Sequence, residues 1–152
     1  MQRTIFLFSR KISAFSTIVN NSVIKPTSIG HIQTDGSYRH IDKISRTALI
    51  LNFKGEQFRN VNTYFTLHNS EEVEWCSVLD GVLYAKAHKI KALQLENDNL
   101  SVINSLIHEI SPKNNFKPYY SKILQNISSL DWFDIRWIPR RFNRADDLFR
   151  LK

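Results

Sequence analysis

The sequence predicts a mixed α/β domain, a sheet with helices on its faces, and three observations predict it. From residue 30 to about residue 67, short runs rich in β-branched and aromatic residues alternate with turn-prone stretches. At residue 71 the apolar period changes from strand-like to helical, and a further strand-like run then lies between helical ones. A helix between two strands implies a right-handed crossover, so the sheet should begin antiparallel and continue in parallel.

In order, "HIQTDGSY", "TALILNF" and "VNTYFTL" read as three consecutive antiparallel strands, with "KGEQ" turning between the last two. "EEVEWCSVLDGVLYAKAHK" sets Trp75, Val78, Leu79, Val82 and Leu83 at helical spacing, with acids first and lysines last as the helix dipole prefers. "IKALQLEN" is a short strand. "DNLSVINSLIHEI" puts Leu100, Ile103, Leu106, Ile107 and Ile110 on one helical face, closed by Pro112. "YYSKILQNISSL" is a weaker helix, "WFDIRWI" a strand ended by Pro139, and "NRADDLFRLK" a final helix with Asn143 as its N-cap. The order is β-β-β-α-β-α-α-β-α, with five strands.

A chain of 152 residues holds one domain with a proper core plus a tail, and 42% hydrophobic with 23% charged residues is ordinary globular usage. The single Cys76 excludes an internal disulfide, and His31, His40, His68, His88 and His108 are too scattered for a zinc ligand set. The net charge of +7 is unevenly spread: residues 1–34 hold Arg3, Arg10, Lys11 and Lys25 and no acid, leaving 17 basic against 14 acidic residues elsewhere. A domain that mildly basic does not identify a polyanion partner by electrostatics alone.

"MQRTIFLFSRKISAFSTIVNNSVIK" combines basic, hydroxyl and bulky apolar residues without acid, the composition of a mitochondrial targeting segment that acts as a basic amphipathic helix. Residues 1–28 are therefore expected to be a leader cleaved near residue 28, and residues 29–152 a domain of the mitochondrial matrix, or otherwise of the cytoplasm or nucleus. Ser9, Arg10 and Lys11 interrupt the apolar run a secretory signal needs, and no run is long enough to span a bilayer, so no membrane association is expected. The other reading of residues 4–8, "TIFLF", is an extra strand or a surface-packed helix.

Four acids stand at element ends or packing faces. Asp35 closes the apolar part of the first strand, before Gly36, which permits a tight or unusual backbone. Glu74 lines up on its helix with Val78, Gly81 and Ala85, of which Gly81 and Ala85 are small residues suited to close approach, and so points at the sheet. Asp98 sits between a strand and a helix, and Asp146 in the first turn of the last helix. Singly, each has a local explanation as a turn or helix-terminal acid. Together, given the crossover topology, they gather at one end of the sheet, where carboxylates repel one another unless hard divalent cations occupy the site.

Four pieces in this order resemble type 1 ribonuclease H: "TDGSY" at 34–38, "EVEWCSVLDGVLYA" at 72–85, "LQLENDNLSVINSL" at 93–106 and "WIPRRFNRADDL" at 137–148. The resemblance implies an RNase H-like fold, a five-stranded mixed sheet flanked by helices. It also implies a metal-binding catalytic quartet of Asp35, Glu74, Asp98 and Asp146. Two Mg²⁺ ions about 3.5 to 4 Å apart, with Mn²⁺ able to substitute, would hydrolyse the RNA strand of an RNA/DNA hybrid. Asp35 would bridge the ions, Glu74 and Asp98 would complete one site and Asp146 the other. "END" stands where the family has "GDS", and the first hairpin lacks the usual glycine- and proline-rich loop. The A-D-x-L match selects Asp146, whereas counting from Pro139 selects Asp147. No histidine lies between residues 112 and 140 to serve as the mobile histidine of some members.

Reading 2′-hydroxyls through a minor groove falls to Ser37, Tyr38, Asn69 and Ser70, and Arg136, Arg140, Arg141 and Arg144 form a basic cluster suited to phosphate. The expected partner is nucleic acid, an RNA/DNA hybrid or a structured RNA, bound by a monomer or by one subunit of a larger complex. The alternative is a non-catalytic RNase H-like binding or assembly subunit of an organellar ribonucleoprotein. A third reading, a domain detached from a retroelement polymerase, shares the chemistry.

Overall fold

The structure, a computed structural model, describes residues 9–12, 18–19, 22–23 and 28–150. Ser9–Ile12 (β1), Ile18–Val19 (β2) and Ser22–Val23 (β3) come first, followed by Gly30–Arg39 (β4), Ile44–Phe53 (β5) and Glu56–Tyr64 (β6). Then come the helix Ser70–Ala87 (α1), strand Ala92–Asn97 (β7), helices Leu100–His108 (α2) and Lys117–Ile127 (α3), and strand Trp132–Trp137 (β8). Two 3₁₀ segments, Arg140–Phe142 and Arg144–Arg150, close the described chain.

The main sheet runs β1-β8-β7-β4-β5-β6. Its β4–β8 part is the expected five-stranded mixed sheet: β4, β5 and β6 form an antiparallel meander, and β7 pairs in parallel with β4 and β8 through helical crossovers. Lys54 and Gly55, both with left-handed backbone (φ 50 and 78), make the two-residue turn between β5 and β6 that matches strand twist. The sixth strand, β1, lies antiparallel to β8 with Ser9 opposite Arg136 and Ile12 opposite Phe133. It falls within the stretch expected as a leader; most of that stretch, including residues 4–8, lies outside the described residues.

The strand β5 is buried on both faces, which explains its continuous apolar run. Leu49 and Leu51 join Ile32, Leu93, Leu95, Phe133 and Ile135 beneath the helices, while Ala48 and Ile50 meet Ala145 and Leu148 on the opposite face. The helix α1 is central, burying Trp75, Val78, Val82 and Ala85, whereas Leu83 on its rim is exposed. The apolar face expected for the next helix is shorter than the sequence suggests. Val102, Ile103 and Leu106 are buried, but Leu100 opens α2 exposed and Ile110 lies past its left-handed cap Glu109, also exposed.

Gly81 lets α1 sit on β4, since a methyl group there would come within 2.5 Å of the Thr34 methyl. Gly36 acts likewise, not through unusual backbone: it lies in regular strand, and a methyl group would meet the Val73 carbonyl oxygen at 2.9 Å. On its other side α1 is fastened by Asp80, one of whose oxygens accepts from Thr47 Oγ1 (2.6 Å), Tyr64 OH (2.7 Å) and Asn62 Nδ2 (3.3 Å). Burial beside that carboxylate pushes the Cys76 thiol up to about 12, so it stays a protonated packing group.

Candidate active site

The parallel pairing of β4 with β7 ends at Gln33 opposite Glu96, and beyond it the strands part. Fixed amides fill the fork: the Thr34 carbonyl accepts from Asn97 Nδ2 at 3.0 Å and from Asn143 Nδ2 at 2.8 Å. Asp35 follows within β4, just past its pairing with β7, and Asp98 follows the end of β7, so both acids stand where the two strands part. Asp35 is 5% exposed and accepts from the Gly36 amide at 3.0 Å. The close approach at Gly36 brings the first turns of α1, and with them Glu74, over Asp35. Asp98 is held at both ends, its carbonyl by Trp137 Nε1 (3.0 Å) and its carboxylate by Asn143 Nδ2 (3.4 Å).

Asp35, Glu74 and Asp98 each offer one oxygen, and the three oxygens lie within 4.8 Å of one another. Asp146 stands against Asp35, close enough to hydrogen-bond it. Its carboxylate also faces Arg140 at 3.8 Å and Arg150 at 3.1 Å. Asp147 is 58% exposed and pairs with Arg144 at 3.9 Å, so of the two neighbouring acids it is Asp146 that faces the cluster. The expected final helix is a 3₁₀ segment instead, and Asn143 is not the cap of an α-helix: it spans from Thr34 to Asp98, while its own oxygen accepts from the Ala145 amide at 3.2 Å.

Burial raises the pKa of Asp35 from 3.8 to about 8, with the charges of Asp98 and Asp146 adding to it. Burial likewise raises Glu74 from 4.5 to about 9, reinforced by Asp35 and Asp98. Asp98 is raised too, by burial, against the opposing effects of Asn143 and Arg140. One oxygen of Glu74, Oε2, is buried with no hydrogen-bond partner. Converging hard oxygens, a buried carboxylate oxygen without a donor and mutual repulsion together fit a divalent cation.

The polar residues singled out in the sequence distribute around this cluster. Arg140, Arg141 and Arg144 line a cleft of about 350 Å³ together with Asn143, Asp146 and Asp147. Ser37 and Tyr38 continue β4 past Asp35 and line a second cleft with Arg39, Arg46 and Thr63. Asn69 caps α1, its side chain accepting from the Glu72 amide at 2.9 Å, and Ser70 begins that helix. Arg136 does not join the other arginines, because in β8 it pairs with buried Asp134 at 2.7 Å. The sequence reading missed Asn97, the bridging role of Asn143, and Asp80. Asn97 was visible only as the residue in place of a glycine before Asp98, and nothing local marks a helical Asp80 as the acceptor for two strands.

The family model described as Reverse transcriptase-like matches residues 33–149. The chain belongs to that family. Its RNase H-like fold is shared with RNase H1 from the halophilic archaeon Halobacterium salinarum NRC-1, at 18% identity and TM-score 0.72, over 79% of this chain and 93% of that one. An N-terminal RNase H domain from Mycobacterium tuberculosis, solved as a fusion with maltose binding protein, matches at 15% identity and TM-score 0.66, over 80% and 91% of the two chains. LC11-RNase H1, solved in complex with an RNA/DNA hybrid, matches at 16% identity and TM-score 0.66, over 78% and 92%. No curated protein matches the sequence. For this RNase H-like chain, family and fold support a nuclease-type hydrolase that handles nucleic acid.

Proposed function

We propose that this protein is a metal-dependent endoribonuclease that hydrolyses the RNA strand of RNA/DNA hybrids, with Asp35, Glu74, Asp98 and Asp146 as its metal-binding catalytic residues. The observation that carries the proposal is the buried, mutually repelling carboxylate cluster, with the partnerless Glu74 Oε2 inside it. A role in binding alone gains nothing from negative charge placed where a phosphate backbone must lie.

Asp35, Glu74 and Asp98 would hold Mg²⁺ or Mn²⁺, with Asp146 on the side of the arginines. The bound ions would supply a water of lowered pKa and stabilise the leaving 3′ oxygen. The chain's own part is positional: Gly36 admits α1 so that Glu74 reaches Asp35, and Asn143 and Trp137 fix Asp98. Arg140, beside Asp146, Glu74 and Asp98, offsets part of the cluster's charge and offers a phosphate contact with Arg141 and Arg144. Ser37, Tyr38, Asn69 and Ser70 face the route of the duplex as minor-groove contacts, with Asn69 contributing what its capping role leaves free. The acid-free stretch before Asp35 supports import into the mitochondrial matrix, which a fluorescent fusion of residues 1–28 tests by its location.

The test is cleavage of a labelled RNA/DNA hybrid by the full chain with Mg²⁺, with Mn²⁺ and with chelator, beside Asp35→Asn. Metal-dependent cutting of the RNA strand, lost in the variant, is expected. A folded preparation that binds the hybrid but cuts in neither metal would return the protein to the class of non-catalytic binding subunits.

A further inference from the structure

Phe142 is a large apolar side chain that the fold leaves 47% exposed between Arg141 and Asn143, two residues that line the arginine-rich cleft. It ends the 3₁₀ turn Arg140–Phe142, and the turn is rigidly placed. The Phe142 amide donates to the Pro139 carbonyl at 2.9 Å, and its own carbonyl accepts from Gln33 Nε2 at 3.3 Å. The next residue, Asn143, is buried and anchored to Thr34 and Asp98. Consecutive Cα atoms are about 3.8 Å apart, so the ring is rooted one residue from a direct contact to the carboxylate cluster. The Arg141 guanidinium lies over the ring, 4.8 Å from its centroid, and Arg140 and Arg144 flank it in sequence.

Phe142 packs in neither of the two apolar clusters. An exposed ring beside guanidinium groups, held on a fixed turn at the edge of a phosphate-suited cleft, is how proteins stack an unpaired base. Aromatic faces accept any base, and neighbouring cations take the backbone. Inside a duplex the base faces are already stacked on one another and a terminal pair frees only one of them, so an unpaired base is the one that can turn its face to Phe142.

We propose that Phe142, with Arg141, is a stacking site for an unpaired nucleobase next to the cleaved duplex, and that the preferred substrate is a hybrid with a single-stranded flank. This rests on the nuclease reading above and adds the substrate class to it. The site belongs to the turn itself: alanine at 142 removes the stacking face and tyrosine keeps it.

The test uses the full chain in Ca²⁺, measuring fluorescence anisotropy with a blunt RNA/DNA hybrid and with the same hybrid carrying an unpaired adenosine run at either end. One flank adenosine is replaced by 2-aminopurine. The wild-type protein should bind one flanked hybrid about tenfold more tightly than the blunt one, within the range of one stacked base, and should quench the 2-aminopurine. Phe142→Ala should lose both the preference and the quenching, Phe142→Tyr should retain them, and Ile110→Ala, which removes an even more exposed apolar side chain past α2, should behave as wild type. Equal wild-type binding of flanked and blunt hybrids, or a preference that survives in Phe142→Ala, overturns the stacking site. Normal cleavage of the blunt hybrid in those cases leaves the nuclease reading standing, whereas a wild-type protein that binds no hybrid at all overturns both.

Discussion

Replacing Asp35 with asparagine should make the protein more stable in chelator at neutral pH, although it removes the central acid of the cluster. The Asp35 carboxyl has a pKa of about 8 in the fold against 3.8 as its ordinary value, because it is buried among other acids. An acid whose folded pKa is raised keeps its proton in the fold while the unfolded chain releases it. From pH 3.8 up to about 8, each pH unit therefore removes up to about 1.4 kcal/mol of stability. At pH 7 the ceiling is roughly 4 kcal/mol, and relaxation with water entry should leave about half, near 2 kcal/mol. Asparagine has nearly the same shape, keeps an oxygen for the Gly36 amide and carries no titrating proton. Calorimetry in chelator should show Asp35→Asn melting roughly 5 to 8 °C above wild type at pH 7.5. At pH 5 the gap should shrink to about 2 to 3 °C, because only about a third of the penalty has accumulated there. A variant that melts below wild type at pH 7.5, or a gap equal at both pH values, would refute the claim that Asp35 is held against ionisation.

Asp146→Asn should lower hybrid cleavage by roughly a hundredfold or more, a loss of about 3 kcal/mol in transition-state stabilisation, and Asp147→Asn by no more than a few fold; steady-state kinetics in Mn²⁺ decides. Gly81→Ala should cost about 2 to 3 kcal/mol in a urea titration, since the added methyl group would meet the Thr34 methyl at 2.5 Å and push α1 off β4. Asp80→Ala should cost about 2 to 3 kcal/mol by stranding the Thr47, Tyr64 and Asn62 donors, and Tyr64→Phe only about 1 kcal/mol, both by the same titration.

The strands and helices were legible wherever a short repeating pattern carries them. The continuous apolar run in "TALILNF", the spacing of Trp75, Val78, Leu79 and Val82, and the small residues Gly81 and Ala85 in line with Glu74 are local signals of elements that bury one or both faces. The pattern misled at its ends. Leu100 and Ile110 continue the helical spacing of α2 but stand at its exposed first residue and beyond its cap, and "NRADDLFRLK" forms 3₁₀ turns where helical spacing suggested an α-helix. Gly36 was visible as important, but the reason is the Val73 backbone against it, a neighbour 37 positions away in the chain.

By itself, the sequence determined the order of elements from β4 to β8, the parallel neighbours β4 and β7, and that Asp35, Glu74 and Asp98 would converge. Periodicity and crossover handedness are local or nearly so, and together they leave few topologies. Only the tertiary structure decided that Asp146 rather than Asp147 faces the cluster, that Asn97 and Asn143 fill the fork between β4 and β7, and that Phe142 stays exposed beside it. Each of those depends on where a side chain ends once distant segments have packed, and neighbours in the sequence carry no record of that.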